Sequence, residues 1–532
     1  MPEKEFNLLE DRWILVMKPD GTTEEVSLLK LFENAHHWRG LAGELPTQDV
    51  AVLRLLLAIL HAVFARYDPD GNYAPISSPA TALKRWKAIW DMGKFPAEII
   101  EDYLLHFQDR FWLFHPVHPF YQVAGLDNAT EYTAAKLNGE LSESGNKIRL
   151  FPQRAGDGKN HLSYSEAARW LLYINAYDDT SAKPKRKGLP SPGTGWLGKL
   201  GLVIAVGDTL FQTLLLNLVL LRDGEDVLWG AEKPIWEQPV RADERTCIVM
   251  PDNPSELLTL QSRRLLLKRQ GDAVVGYMLL GGDFFPKENA LAEQMTIWTN
   301  GDKKQTDLPV YLPKRHDPAR QIWRDFSVLL AQGDNMRRPG VVNWLARLKA
   351  DNLIPNSHIC FQTVAVKYGD KDFFIDDVFS DSISFSARLL TTLGVEWVAR
   401  IIDEIQTTEK LVQQVGRLAQ DLAKAAGNAD GKNQRDAARE QAYFRLDLAF
   451  RKWLEEINPD EDDMVIVCER WWEQARSIVR KIGRELVEQA GPQAFVGRVI
   501  SENKKERHYS APEAFNHFLY NTATREALKG GK

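Results

Sequence analysis

The sequence predicts an α+β chain in two parts: a large mixed body over residues 1–379, with antiparallel strands, and a C-terminal four-helix bundle over residues 380–532. Three observations predict it. At 532 residues the chain is too long for one hydrophobic core. In the first part, apolar spacing switches between helical and strand periods without the regular alternation of a parallel α/β sheet. After about residue 380 only long helical patterns remain, joined by mostly short breaks, as in an antiparallel bundle.

Residues 6–16 (FNLLEDRWILV) read as an opening strand, with Asp20-Gly21 as its turn signal. From about Thr47, the residues Val50, Leu53, Leu56, Leu57, Leu60, Val63 and Phe64 recur on one helical face. Residues 79–92 make a second helix, which Gly93 can end in the left-handed conformation, and residues 96–111 a third. Ser163 and Glu166 form a capping box ahead of an amphipathic helix over residues 166–177. Residues 200–221 are the most apolar stretch, but Asp208, Gln212 and Asn217 interrupt it, which fits a buried helix better than a membrane span. Between about residues 246 and 285, short apolar runs alternate with Gly-Asp turns, the pattern of antiparallel strands. Helices over 318–331 and 340–350 follow, then a strand over 358–368. The bundle helices are expected at 382–426, 433–457, 464–490 and 512–528.

Composition is that of an ordinary globular chain, 44% hydrophobic and 26% charged. The net charge of −6 means that any contact with nucleic acid must come from local basic patches. Sixteen Trp fill cores and also suit a docking subunit. Cys247, Cys360 and Cys468 lie far apart, which argues against disulfides and thiolate zinc sites and fits a reducing compartment. The charged N-terminus leads into no apolar signal region. A cytoplasmic location is therefore expected.

Gly193-Thr-Gly195-Trp-Leu-Gly198-Lys199-Leu200 matches G-x-G-x-x-G and falls one residue short of a P-loop. Either motif needs a strand before it and a helix after it, so that N–H groups and a helix N-terminus face the phosphates. Pro184, Pro190 and Pro192 lack the donors that a preceding central strand requires, and Leu200 offers no hydroxyl to Mg²⁺. One reading is a nucleotide-binding enzyme using residues 193–199. The other is a basic, glycine-rich loop, with Lys183, Lys185, Arg186 and Lys187 followed by Gly188, Gly193 and Gly195. Cations attract a phosphate backbone and glycines let main chain approach a groove. A solvated surface loop has the same composition.

In His115-Pro-Val-His118-Pro119, the prolines break the helix that would set two imidazoles on one face, and no carboxylate stands at ligand spacing. A packed aromatic turn with Trp112, Phe114, Phe120 and Tyr121 is expected instead. No H-E-x-x-H, G-x-S-x-G or kinase set is present, so neither a catalytic residue, a metal nor a cofactor is expected.

Four segments occur in order: Asn7-Leu8-Leu9-Glu10-Asp11-Arg12-Trp13-Ile14-Leu15-Val16, His118-Pro119-Phe120-Tyr121-Gln122, Leu150-Phe151-Pro152-Gln153, and Gly207-Asp208-Thr209-Leu210 with Asn217-Leu218-Val219-Leu220. Together they resemble the CasA family, the large subunits of type I-E CRISPR surveillance complexes (Cascade), over almost the whole chain. The resemblance implies a C-terminal four-helix bundle and a non-enzymatic role. Such a subunit holds the 5′ handle of the guide RNA and reads a short protospacer-adjacent motif (PAM) on duplex DNA, partly from the minor groove. It then helps to open the duplex into an R-loop and presents it to a recruited helicase-nuclease. Protein reads the PAM and base pairing reads the rest.

By position, the resemblance sets the loop around Phe151 at the guide handle and residues 183–195 at the PAM-side duplex. Readout there relies on groove width and close backbone approach. The family's minor-groove lysine has no matching motif in this chain, and Lys287 in Gly282-Asp-Phe-Phe-Pro-Lys287 is its nearest counterpart. Where some members carry a strand-separating Gln, this chain has Asn335-Met336-Arg337-Arg338-Pro339-Gly340. Arg337 and Arg338 are expected there to intercalate or hold phosphate, or to cap a helix. The implied partners are other Cascade subunits, the guide RNA 5′ handle, target double-stranded DNA and the helicase-nuclease, with no membrane.

Overall fold

The helix Pro46–Phe64 opens on Pro46, whose missing N–H costs nothing in a first turn. The sequence predicts one apolar face, yet nearly every residue is buried, which marks a core helix. Among the described residues it is the one helix long and apolar enough to cross a membrane, and 94% of its apolar window is buried inside the protein. Arg54 on this helix is buried because Glu293 accepts both of its N–H arms at 2.9 Å, and Glu293 also accepts the Trp196 indole N–H at 2.8 Å.

The structure is a computed structural model describing residues 4–140, 154, 156–181, 183–184, 186–301, 309–330, 336–355, 358–428, 430–502 and 505–530. The chain forms two units. One comprises Met1–Arg320, Gln332–Pro355 and Ile359–Ser382, and the other Gln321–Ala331, Asn356–His358 and Ile383–Lys532.

In the first unit, helices Ala97–His106, Tyr164–Tyr177 and Pro254–Leu258 pack on Pro46–Phe64. The capping box is present: Ser163 Oγ accepts the Glu166 N–H at 3.3 Å, and the Glu166 carboxylate accepts the Ser163 N–H at 2.9 Å. Gly93 ends the helix Pro79–Met92 at φ +68°. Strands Arg263–Gln270 and Ala273–Gly281 make an antiparallel hairpin, extended by Thr130–Thr133 on its second strand. A second three-stranded sheet has His358–Tyr368 between Leu202–Val206 and Ile375–Ser386.

Three expectations change in this unit. Residues 6–16 are not one strand but Glu5–Asn7 and Ile14–Met17. Asn7 Oδ1 accepts the Leu9 N–H at 2.9 Å and Asp11 accepts the Asn7 N–H at 2.6 Å, so side chains close a turn between them. The apolar stretch from 200 to 221 is a strand, Leu202–Val206, then a helix, Leu210–Leu216. Thr209 starts that helix by accepting the Gln212 N–H at 3.2 Å, while Val203, Ile204 and Val206 favour the strand. Asp109, which spacing alone does not link to the histidines, comes within 2.6 Å of His118 Nε2 and 3.5 Å of His115 Nε2. His115 Nδ1 accepts the N–H groups of Val117 and His118 at 3.0 Å, which puts its proton on Nε2 toward Asp109. Asp109 also pairs with Lys4, and these bonds together hold its carboxyl low, at about 2.

In the second unit, the 32-residue helix Val395–Ala426 packs against Lys432–Glu456, Met464–Glu488 and Ala511–Asn521. An aromatic layer fills the centre: Trp323 stacks on Phe450 at 4.5 Å, and Trp471 meets Phe450 at 5.0 Å and Trp453 at 5.4 Å. Their indole N–H groups are satisfied by Asp447 (2.9 Å), Thr408 (3.0 Å) and the Val467 carbonyl (3.0 Å) respectively for Trp323, Trp471 and Trp453. Much of the Trp surplus is thus core. Among the described residues, 318–330 hold a 3-10 turn, Ile322–Asp325, and a short helix, Phe326–Leu330. Strands also continue past residue 380, in Ile375–Ser386 and in the hairpin of Arg498–Glu502 with Lys505–Tyr509.

Candidate nucleic-acid interface

Helix Tyr164–Tyr177 ends at Asp178, and the chain then crosses to the strand Leu202–Val206 through the basic, glycine-rich stretch. Its anchor is internal. The Asp178 carboxylate, 1% exposed as a residue, holds Lys183 at 2.8 Å and Arg263 at 2.5 Å. Burial alone would raise this carboxyl, but the two cations outweigh it and keep it below the usual range. Lys183 also donates to the carbonyls of Asp179 (2.7 Å) and Ser181 (3.0 Å), and burial lowers its ammonium despite Asp178. Lys183 is therefore a structural cation inside the protein. The sequence expectation of a phosphate contact there is corrected, because its donors are used internally.

Arg263 reaches onward to the Gly193 carbonyl at 2.6 Å, tying the glycine segment to the hairpin. Gly195 donates its N–H to the Asp178 carbonyl at 2.9 Å, and a Cβ there would lie 2.2 Å from the Ala176 carbonyl oxygen. Gly195 is thus required by packing, not by approach to a groove. Among the described residues, the one neighbour within 4 Å of a Cβ added at Gly193 is Lys199, 3.9 Å away.

The outer part differs. Lys187 and Gly188 are exposed, and Gly188 turns the chain at φ +84°. Arg186 is exposed, pairs with Glu244 and donates to the Arg245 carbonyl at 3.2 Å. Arg245 lies 4.0 Å over the Phe284 ring, and Lys287 is exposed just beyond on the same segment. Lys199 is held down at about 8, first by burial and then by Arg263, Lys287, Arg245 and Arg315. The fold thus gathers cations from five separate places in the sequence around one glycine segment. Only Lys199 and Lys287 of these stood out in the sequence, because the others lack a local motif.

Three further expectations meet the structure as follows. Phe151 and Lys185 lie outside the described residues. Arg337 donates to Asp223 at 2.7 Å and sits beside the rings of Trp298 (5.4 Å) and Tyr311 (5.7 Å), so its charge is already engaged. Arg338 is 8% exposed, and burial lowers its guanidinium to about 10. Phosphate contact or intercalation by this pair is corrected for that reason; they lead into the helix Gly340–Ala350 instead.

A nucleotide site has no geometry here. Residues 197–199 make one 3-10 turn, and among the described residues no strand precedes it directly. The cleft beside Gly193, Trp196 and Lys199 measures ≈20 Å³, room for about one water.

Comparison with known proteins bears on the whole chain. The family described as CRISPR-associated protein Cse1 matches residues 7–482. The CRISPR-associated protein CasA/Cse1 of Thermus thermophilus is 32% identical over 332 residues, which is 62% of this chain and 60% of that protein. The match thus spans less than two thirds of that curated relative. Thermobifida fusca Cse1, a crystal structure, aligns at a TM-score of 0.84 with 32% identity over 99% of both chains. A chain of a CRISPR RNA-guided surveillance complex aligns at 0.63 over 91% of this chain and 99% of its own, and at 16% identity shows the fold alone. With the family matching residues 7–482 and a Cse1 crystal structure aligning over 99% of both chains, this chain belongs to the Cse1 (CasA) family of CRISPR-associated proteins.

Proposed function

We propose that this chain is the large, non-catalytic subunit of an RNA-guided CRISPR surveillance complex, where it recognises the PAM on target double-stranded DNA. In this reading it works in the cytoplasm with other Cascade subunits and the guide RNA 5′ handle. It favours duplex opening and R-loop formation and supports recruitment of the helicase-nuclease. The observation that carries the reading is the cationic surface around Gly193. Lys187 is exposed where the glycine segment begins in the sequence, and exposed Lys287 lies close enough to Lys199, at its other end, to shift it, on a protein whose net charge is −6. An acidic protein that concentrates exposed cations at a turn can meet a phosphate backbone there while repelling it elsewhere. The family relationship supplies the context, since a related fold occurs in a surveillance complex.

The division inside the loop sharpens the mechanism. Lys183 and Arg263 fix the base of the loop on Asp178, and Lys187, Gly188 and Lys287 make the face that meets DNA. The test is the salt dependence of target binding by the reconstituted complex. K187E and K287E, alone and together, should flatten the slope of log affinity against log salt by about 0.9 for each phosphate no longer neutralised. An unchanged slope in the double variant rules this face out.

A further inference from the structure

The first unit holds a second cavity, remote in sequence from the cationic loop. It measures ≈280 Å³; Tyr73, Pro75, Leu228 and Trp229 form its walls, and His61, Glu232 and Arg66, the last paired with Glu237, also line it. The two groups of residues differ in kind. Tyr73 is 70% exposed and Leu228 37%, whereas His61 is 3% and Glu232 6% exposed. The cavity therefore runs from an apolar, solvent-facing mouth to a buried polar end.

That polar end is incompletely satisfied. His61 Nδ1 has no hydrogen-bond partner, and Glu232 Oε1 lies 3.8 Å from it, beyond hydrogen-bond distance. The other Glu232 oxygen accepts the Ser255 N–H at 2.9 Å. Burial holds His61 down at about 3 and raises Glu232 to about 7, so a neutral imidazole faces a carboxyl that retains a proton over part of the neutral range. The close approach is thus not an ion pair. A buried polar atom without a partner is unfavourable, and a ligand atom that bonds to it recovers that loss. The Trp229 N–H is engaged by the Val219 carbonyl at 2.7 Å, so Trp229 lines the cavity without a free donor.

We propose that this cavity binds a single unpaired nucleobase, lying against the Tyr73 and Trp229 side of the cavity with its hydrogen-bonding edge on His61 and Glu232. The ligand must be one ring system, because the volume lies at the small end of ligand pockets, about 300–1,000 Å³. It must be planar and apolar on its faces to match the walls. It must also carry adjacent donor and acceptor atoms on one edge to complete the polar end. Nucleobases meet all three demands, and stacking on aromatic rings is how proteins hold them out of a helix. The inference does not rest on the proposed PAM-reading role.

Equilibrium dialysis of the full chain against adenosine, guanosine, cytidine and uridine tests it. At least one nucleoside should bind at one site per chain with Kd at or below about 1 mM. L228W, which fills the mouth from an exposed position, should abolish that binding without changing the melting curve. H61F should weaken it by about tenfold or more, the loss of one hydrogen bond to a buried group. Single-stranded RNA or DNA oligomers of the preferred base then identify the source: competition by one assigns that nucleic acid, by both the shared base, and by neither a free nucleoside. Absence of binding by all four nucleosides overturns the proposal, as does undiminished binding by L228W. Binding of propionamide but of no nucleoside would give the cavity to a protein side-chain amide and overturn it too.

Discussion

Lys183 and Lys187 are four residues apart in one basic run, yet they do different work. Lys183 is enclosed with Asp178, which the end of a helix supplies, and Lys187 is exposed at a turn. K183A leaves Asp178 short of one of its two buried cations and should destabilise the protein by about 3–5 kcal/mol. K187A should change stability by no more than about 0.5 kcal/mol. Urea unfolding of the two variants separates them. The basic run was legible in the sequence, but its division was not, because Asp178 and Arg263 arrive from elements that only the fold brings together. Glu232 yields a second prediction at this scale. Its folded-state value, raised to about 7 by burial against Ser255 and Arg66 and with help from Glu237, exceeds the ordinary 4.5. Its contribution is therefore fully present below about pH 4.5 and lost as pH rises through about 7, on the order of 3 kcal/mol. E232Q should gain stability relative to the native protein between about pH 5 and about pH 8, measured as the difference in unfolding midpoints. Because His61 titrates in the opposite sense at lower pH, that difference is the readout, not either curve alone.

At the scale of elements, the glycine segment separates packing from access. G195A drives a Cβ against the Ala176 carbonyl and should cost at least about 1–3 kcal/mol. G193A meets nothing closer than Lys199 at 3.9 Å and should leave the melting temperature nearly unchanged. Thermal unfolding of both checks the assignment. Elements with local signals were readable: the Ser163 capping box, the Gly93 stop and the long apolar helix at 46–64 all form as their residues dictate. Elements held by distant contacts were not. The hairpin Arg498–Glu502 with Lys505–Tyr509 has no Gly or Pro in its turn. It is held against the long bundle helix, where Arg498 donates to the Ala425 carbonyl at 3.2 Å and Lys424 lies 5.1 Å from the Tyr509 ring. The strand and helix within residues 200–221 were read as one helix because Asp208, Gln212 and Asn217 looked like interruptions of it, whereas Gly207, Asp208 and the Thr209 cap divide two elements.

At the scale of the whole molecule, charge and family give one account. The chain is acidic overall, and cations from residues 199, 245, 263, 287 and 315 gather around the Gly193 segment. The family was legible because its motifs are spread along the chain in a fixed order; the cation cluster was not, because convergence is a property of the fold. Arg337 and Arg338, which looked like a second DNA contact, are engaged or buried within the body, whereas Lys187 and Lys287 are exposed. The most direct measurement is a mobility shift of the reconstituted surveillance complex on two targets that differ only in the PAM, with and without this subunit. The account predicts tighter binding to the PAM-bearing target only when the subunit is present, and loss of that preference with K187E/K287E. Equal discrimination in its absence would contradict it.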